Sequence, residues 1–169
     1  MGMDMRIGIN GTGSLGTLDQ VIDAAQQAEA DGFDSFWIAQ IFGLDALTAL
    51  AIVGREVDRI ELGTAVVPTY PRHPMMMAGQ ALTVQSAIGD RLALGIGLSH
   101  KSVIEELWGY SYAKPVRHMR EYLEALLPLL RGESVAVTGE DLTCIGSIDI
   151  AGAAAPDVIV AALGSQMLH

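Results

Sequence analysis

Three glycines, Gly11, Gly13 and Gly16, follow the first apolar run of the chain in the stretch INGTGSLG. Their spacing is G-x-G-x-x-G, the pattern whose backbone N–H groups hold the pyrophosphate of a dinucleotide at a helix N-terminus. The pattern needs a helix that begins inside the glycine run. It also needs an acidic residue at the end of the second strand to bind the ribose hydroxyls.

Both of these requirements are missing from the sequence. A capping box, Thr17 with Gln20 three residues later, places the start of the helix after the last glycine. The second predicted strand ends in the letters WIAQ, and the nearest acid, Asp34, precedes that strand. We therefore interpret the run as a glycine-rich loop between a strand and a helix, on the ligand-binding edge of the sheet. A nicotinamide site is the alternative.

Two histidines and an arginine are further candidates for a catalytic or binding role. His100 directly follows the fourth predicted strand, where an imidazole can transfer a proton near neutral pH. An exposed loop histidine without a role fits the same position. Arg72 and His73 lie between two prolines in PRHP, where phosphate binding or acid–base chemistry is one interpretation. The alternative is a structural role, with caps and ion pairs at the start of the next helix.

Apolar runs that alternate with helical segments predict the elements that position these residues. The predicted strands are Met5–Asn10, Ser35–Ala39, Arg59–Val67, Arg91–Ile96 and a run from Pro156. The predicted helices begin at Thr17, Asp45, Met75 and Lys114, with a hairpin-like insertion over Ser134–Ile150 and the first turn of a helix over Ser165–His169. Continuous apolar strands joined by helices predict a parallel sheet buried on both faces. The fold class is therefore α/β, as either a doubly wound sheet or a (β/α) barrel.

Charge and composition exclude several classes of function. The formal charge is −10, from 20 acids against 10 Lys and Arg, which argues against a nucleic-acid partner. Cys144 is the single cysteine, so an intrachain disulfide is excluded and a cytoplasmic protein is expected. The apolar runs are too short for a membrane helix, and no basic region precedes a hydrophobic segment at the N-terminus, so a soluble protein without a targeting segment is expected.

The segments LGTAVVPTYPRHP and GDRLALGIGLSH carry a more specific signal, with GFDSFWIAQIFGLDAL before them and RHMREYLEALLPLLRGE after them. Together they resemble the luciferase-like monooxygenase superfamily, in particular its coenzyme F420-dependent oxidoreductases. The resemblance covers nearly the whole chain. It implies a (β/α) TIM barrel with the cofactor ring at the C-terminal ends of the strands. Here it would be a partial barrel of about five parallel strands, forming one domain over residues 1–169.

The resemblance also implies cofactor-binding positions. The family has a bulge with a non-prolyl cis peptide in the third strand, behind the cofactor ring. That bulge matches Gly63, Thr64, Ala65 and Val66, with the cis bond between the last two. Gly97 and Ser99, at the end of the fourth strand, are the further cofactor-binding candidates. The expected cofactor is coenzyme F420, with FMN as the alternative, and no metal is expected.

Two positions that differ from the family are the candidate catalytic residues. Gln40 follows the second strand where relatives that oxidise alcohols or sugar phosphates carry His. His100 occupies the position of a Glu that donates protons in the same relatives. Both differences argue against an alcohol or a sugar phosphate, so the expected substrate is an unknown small organic molecule.

The length of the chain raises a question about assembly. A full barrel has about 250 residues, whereas this chain has 169 and five predicted strands. The expectation is therefore a fragment, a natural truncation, or a homo-oligomer that covers the open sheet edges. The favoured function is a cofactor-dependent oxidoreductase. The alternative is a non-catalytic family member that acts as a cofactor carrier or a subunit-interaction piece.

Overall fold

A parallel sheet forms the centre of the computed structural model, which describes residues 5–11, 16–40, 42–162 and 164. Its strands are β1 (Gly8–Asn10), β2 (Ser35–Ile38), β3 (Glu61–Thr64), β4 (Val67–Pro68), β5 (Leu92–Gly97) and β8 (Asp157–Val160), and β6 (Val135–Thr138) pairs with β7 (Thr143–Gly146) in a separate antiparallel hairpin. The ladder runs β1-β2-β3-β5-β8, with β4 pairing with β5 beyond the end of β3. Because β3 and β4 are two segments of one strand, the predicted sheet of five parallel strands is confirmed.

Four helices connect the strands: α1 (Leu18–Ala30), α2 (Ala46–Val53), α3 (Pro74–Ile88) and α4 (Pro115–Leu130). Their N-termini match the predicted signals. Thr17 forms the predicted capping box with Gln20, and Asp45 accepts a hydrogen bond from the N–H of Thr48 at the start of α2. A short π-helical turn over Val103–Leu107 was not predicted.

The two edge strands differ from the prediction. The sequence predicts β1 as a buried strand over Met5–Asn10, but only Gly8–Asn10 form it and all three residues are exposed. The predicted buried strand from Pro156 is β8, whose residues alternate between exposed and half-buried. The physical reason is the same for both. Each strand pairs on one side only among the described residues, so the burial of a central strand is missing.

The buried side chains form one continuous apolar cluster. On β5 the alternate residues Leu92, Leu94 and Ile96 belong to it, together with the inward faces of the helices. Ala93 is also buried but lies outside the cluster, on the opposite face of the strand. The face of the sheet that carries Leu92, Leu94 and Ile96 therefore packs with the helices in one core.

Arg91 ties together the connections at the N-terminal end of β5. Its guanidinium donates to the carbonyl oxygens of Ile88, Gly54, Val57 and Ile60, at 2.7 to 3.0 Å. Three of these carbonyl groups belong to the connection between α2 and β3, and the fourth is at the end of α3. They share one planar cation, whose fork of donors suits several acceptors at once. This end of the sheet is held rigidly, opposite the end where the strands' carboxyl termini lie.

The hairpin is anchored to α4 by charged groups. The buried carboxylate of Glu121 accepts the N–H groups of Glu140, Asp141 and Leu142 at the hairpin turn. These bonds hold the pKa of Glu121 below its usual value, although burial opposes the shift. Arg117 adds ion pairs to Glu140 and Asp141. No helix within the described ranges is long and apolar enough to cross a membrane.

Candidate active site

The third strand is interrupted where the bulge is expected. The peptide bond between Ala65 and Val66 is cis, which confirms the predicted position. Regular pairing of β3 with β5 ends at Gly63, and β4 resumes pairing at Val67. The predicted continuous strand Arg59–Val67 is therefore wrong in its middle, because this kink takes Ala65 and Val66 out of the strand.

The hydroxyl of Thr64 replaces the missing ladder bonds at the bulge. Its Oγ1 donates to the carbonyl oxygen of Gly95 at 2.7 Å and accepts the N–H of Gly95 at 2.9 Å. A Cβ at position 95 would lie 1.8 Å from the carbonyl oxygen of Thr64, so only glycine allows this close approach. Since Thr64 is 1% exposed, its hydroxyl serves the backbone and is not presented to a ligand.

A cavity of about 360 Å³ lies beside the bulge, at the carboxyl ends of the strands. Three polar side chains reach it, and its remaining lining is apolar; the residues are Ala39, Gln40, Phe42, Ala65, Val66, Pro68, Ser99, His100, Val103 and Trp108. The structure thus brings five of the predicted site residues together, namely Gln40, Ala65, Val66, Ser99 and His100. Mostly apolar walls with few polar groups are typical of small-molecule sites.

The other three predicted cofactor-binding positions lie behind the cavity wall. Thr64 bridges the ladder as described. A Cβ on Gly63 would lie 2.1 Å from the indole of Trp37, and one on Gly97 would lie 2.6 Å from Cγ2 of Val66. These two glycines leave room for neighbouring side chains, so all three positions support the bulge and do not line the cavity.

Gln40 is held in one orientation by backbone groups. Its N–H donates to the carbonyl oxygen of Val66 at 3.2 Å, which ties the end of β2 to the bulge. Its side-chain Oε1 accepts the N–H of Ala46, the first residue of α2, at 2.8 Å. The side-chain Nε2 finds no acceptor among the described residues. Gln40 therefore has donors to offer a ligand but no base.

Ser99 and His100 form the wall that follows β5. Ser99 has φ of +63°, in the left-handed region that costs a residue with a Cβ about 1 kcal/mol. Its carbonyl oxygen accepts the hydroxyl of Tyr112 at 3.4 Å. His100 is exposed, and its carbonyl oxygen accepts the N–H of Ile104. His100 thus lines the cavity and is also open to solvent.

The apolar lining was not singled out in the sequence. Phe42 is 67% exposed, and it lines the cavity together with Val103 of the π-helical segment and Trp108 just after that segment. The chain has only two Trp and three Phe, so an aromatic residue just after a strand end was an available signal. The spacing between Phe42 and Trp108 shows no motif, because only the fold brings their loops together.

A second and larger cavity, of about 470 Å³, lies between the loop after β4, the start of α4 and the hairpin turn. Its charged groups are mostly used in the structure itself. Arg72 pairs with Asp45, and His73 caps α3 through Nδ1 while Nε2 contacts the carbonyl oxygen of Thr143. The capping and ion-pairing alternative for Arg72 and His73 is therefore confirmed.

An aromatic stack forms the floor of this second cavity. The ring of His118 lies parallel to that of Tyr70 at 3.9 Å, and its Nε2 is 3.0 Å from Oγ1 of Thr69. Burial lowers the pKa of His118, partly opposed by the charges of Asp141 and Glu121. Burial likewise raises the pKa of Tyr70 to about 12. Because Thr69 is 1% exposed, its hydroxyl is not accessible as a nucleophile.

The described glycines of the first loop make hydrogen bonds to other parts of the fold. Gly11 donates to the carbonyl oxygen of Trp37, and Gly16 donates to Oε1 of Gln20 in the capping box. α1 begins at Leu18, after the last glycine, as the capping box predicts. Gly13 lies outside the described residues. No group of three or more metal-binding side chains occurs in the part of the chain that the structure describes.

Comparisons with known proteins agree with this geometry. The model of the family described as luciferase-like monooxygenase matches residues 4–169. The 5,10-methylenetetrahydromethanopterin reductase of Archaeoglobus fulgidus is 32% identical over 114 residues, which cover 67% of this chain and 34% of that protein.

Two solved structures share the fold at lower identity. The coenzyme F420-dependent tetrahydromethanopterin reductase of Methanopyrus kandleri has a TM-score of 0.78 at 20% identity, over 96% of this chain and 51% of that one. The oxygenating constituent of 3,6-diketocamphane monooxygenase of Pseudomonas putida, in complex with FMN, has a TM-score of 0.77 at 20% identity, over 94% and 51%.

These structural likenesses confirm the (β/α) TIM-barrel type of fold, of which the described strands form a part. The chain spans about a third to a half of the length of the relatives that it matches. The family model covers nearly all of its residues, including the bulge and the strand end that form the cavity. The chain therefore belongs to the luciferase-like monooxygenase family.

Proposed function

We propose that the cavity beside the bulge holds the flat ring of coenzyme F420, with FMN as the alternative. The chain would then transfer a hydride or electrons between this cofactor and a small organic substrate. The observation that carries the proposal is the lining of the cavity: apolar walls with only Gln40, Ser99 and His100 as polar groups. The coenzyme F420-dependent reductase of Methanopyrus kandleri supports coenzyme F420, and the FMN complex of the camphane enzyme supports FMN.

The residues of the cavity fit a flat aromatic ring. Phe42, Val103 and Trp108 contribute apolar surface to the cavity, and Ala65 and Val66 of the bulge also line it. Small side chains let the backbone approach a ring closely. The lining contains no Lys or Arg among the described residues, so a phosphate on the cofactor tail would be held elsewhere.

The protein's part in the reaction is binding, orientation and proton transfer. When bound, the reduced cofactor supplies a hydride or electrons. The apolar walls exclude water from the reacting atoms, and His100 exchanges a proton with the substrate and then with solvent. Gln40 orients a polar group of the ligand through its side-chain amide.

The second candidate is a non-catalytic role as a cofactor carrier or subunit-interaction piece. Its support is the pair of sheet edges at β1 and β8, which pair with no further strand among the described residues and where Ile9 and Ile159 are exposed. We propose that a second copy of the chain covers these edges, since exposed strand edges are normally paired or covered. We also propose a cytoplasmic location, supported by the unpaired thiol of Cys144.

Titration with coenzyme F420 and with FMN tests the proposal. Binding is followed through ring absorbance and fluorescence, and the solution mass is measured on the same sample. The variant Ala39→Phe, which fills the cavity from β2, is expected to abolish binding. Its matched control, Ala30→Phe on the exposed end of α1, is expected to bind normally.

The outcomes separate the candidates. Absence of binding of either cofactor at high micromolar concentration contradicts both the oxidoreductase and the carrier. Tight binding without turnover of any substrate favours the carrier. A solution mass equal to one chain contradicts the covering of the edges by a second copy.

A further inference from the structure

We propose that Tyr112 is a positioning residue for the cavity beside the bulge. It holds the backbone of Ser99, and with it the wall that includes His100 and Trp108, in the place that a bound ring requires. The inference rests on the proposed function, because the wall matters only if the cavity binds a cofactor. It goes further by assigning this task to a residue outside the lining of the cavity.

The connection between β5 and α4 supplies much of the cavity wall. Four of its residues line the cavity: Ser99, His100, Val103 and Trp108. Within it, the N–H of Ile104 donates to the carbonyl oxygen of His100 at 3.0 Å. The N–H of Trp108 donates to the carbonyl oxygen of Val103 at 3.1 Å. The lining residues therefore belong to one compact turn, whose place depends on how its two ends are held.

The first end of this turn is Ser99. Its φ of +63° lies in the left-handed region, which is disfavoured by about fivefold or more for a residue with a Cβ when nothing supports it. The hydroxyl of Tyr112 donates to the carbonyl oxygen of Ser99 at 3.4 Å. Burial raises the pKa of the Tyr112 hydroxyl, so this group stays protonated as a donor at neutral pH. The distance is long for a hydrogen bond, so we expect the ring of Tyr112 to contribute the larger part of the support.

The ring of Tyr112 connects the turn to the strand that continues beyond the bulge. It stacks on Tyr70, with centroids 5.7 Å apart and an interplanar angle of 29°. Tyr70 in turn lies parallel to His118 of α4, at 3.9 Å and 2°. Tyr70 also follows Pro68, the lining residue that ends β4, by two positions. One side chain therefore joins two parts of the cavity wall, the turn after β5 and the strand after the bulge.

The place of His100 depends on the same backbone. The His100 imidazole finds no hydrogen-bond partner within the described ranges, so no neighbouring side chain fixes it there. At the far end of the turn, the N–H of Tyr112 donates to Oε1 of Glu105 at 3.2 Å. A displacement of Ser99 would carry the next residue with it, and a binding site needs positions defined to about 0.5 Å. Tyr112 thus acts on binding through Ser99 and His100, without touching the ligand.

The variant Tyr112→Leu removes both the hydroxyl and the stacked ring. If Ser99 then keeps its left-handed conformation about a fifth of the time, the affinity for coenzyme F420 should fall by about fivefold. Tyr112→Phe keeps the ring, so its affinity should lie between those of the wild type and Tyr112→Leu. The same titrations are made with FMN.

The matched control is Tyr110→Leu, the same exchange at a neighbouring tyrosine. The ring of Tyr110 also packs on Tyr70, at 6.3 Å, and is 45% exposed. Its hydroxyl has no hydrogen-bond partner in the described part of the chain, so it does not hold Ser99. Its affinity should stay within about 1.5-fold of the wild type.

The indole N–H signals of the two tryptophans in NMR spectra separate positioning from a general loss of structure. Trp108 lies in the turn after β5, whereas Trp37 lies on β2 and donates from Nε1 to Oγ of Ser35 at 2.8 Å. In the ligand-free Tyr112 variants we expect the Trp108 signal to shift and the Trp37 signal to stay in place. A general loss of structure would move or broaden both signals.

The outcomes distinguish this inference from the proposed function. Absence of binding of coenzyme F420 and of FMN by the wild type overturns both proposals. Binding by the wild type with an affinity of Tyr112→Leu within about 1.5-fold of it overturns only this one. Equal weakening by Tyr110→Leu also overturns it, because loss of any ring beside Tyr70 would then be sufficient. If Tyr112→Leu does not fold, Tyr112→Phe decides: wild-type affinity, or a shift of both tryptophan signals, overturns the inference.

Discussion

Replacing Thr64 by Val is expected to destabilise the protein by about 2–4 kcal/mol. The Thr64 hydroxyl is paired with both backbone groups of buried Gly95, at 2.7 and 2.9 Å. Valine has nearly the same shape but no hydroxyl, so a buried N–H and a buried C=O lose their partner. Each unpaired group costs about 1–3 kcal/mol, and the added apolar burial offsets part of the sum.

Urea unfolding followed by tryptophan fluorescence measures this loss, and for a chain of this size the Tm should fall by about 5–15 °C. Thr64→Ser keeps the hydroxyl and should lie between the wild type and Thr64→Val. The control is Thr83→Val: Thr83 is exposed on α3, where its hydroxyl donates to the carbonyl oxygen of Gly79. It should change stability by no more than about 0.5 kcal/mol. If Thr64→Val is as stable as the wild type but no longer binds cofactor, the hydroxyl serves the ligand and our reasoning is wrong.

Three further predictions concern the framework around the site. Arg91→Met should cost about 3–5 kcal/mol in urea unfolding, because it leaves four carbonyl groups without their shared donor; an effect below about 1 kcal/mol would contradict the anchoring role. Since burial lowers the pKa of His118, the unfolded state binds more protons. Stability should therefore fall as the pH drops below about 6.5, and His118→Asn should flatten the unfolding free energy between about pH 7.5 and 5.5. Glu121→Gln, with one acceptor oxygen and no charge, should speed amide hydrogen exchange at the hairpin turn relative to α1; equal protection would refute the anchoring of the hairpin.

Local signals in the sequence were sufficient to predict the helices and the succession of strands along the chain. The capping box at Thr17 and the Lys114-Pro115 pair at the start of α4 mark helix starts within a residue or two of the observed ones. These signals act through neighbouring residues, so they do not depend on the rest of the fold. The bulge at Ala65 and Val66 was predicted by family resemblance alone, because no local pattern of residue types predicts such a bulge.

The contacts at the site required the tertiary structure. Thr64 was predicted to bind the cofactor, but its hydroxyl is used by Gly95, a residue that is distant in sequence. Gln40 was predicted as catalytic, yet its orientation depends on the first N–H of α2. In both cases the residue type was informative, while the partner that decides its role comes from another element.

By itself the sequence determined the parallel α/β architecture, the positions of the helix starts and the strand ends that carry Gln40, Ser99 and His100. Those features follow from apolar periodicity, capping and turn chemistry, which are local. Only the tertiary structure decided which of these side chains face one cavity, and that Phe42 and Trp108 join them there. The physical reason is that a cavity is formed by the distances between elements, and those distances depend on packing across the whole sheet.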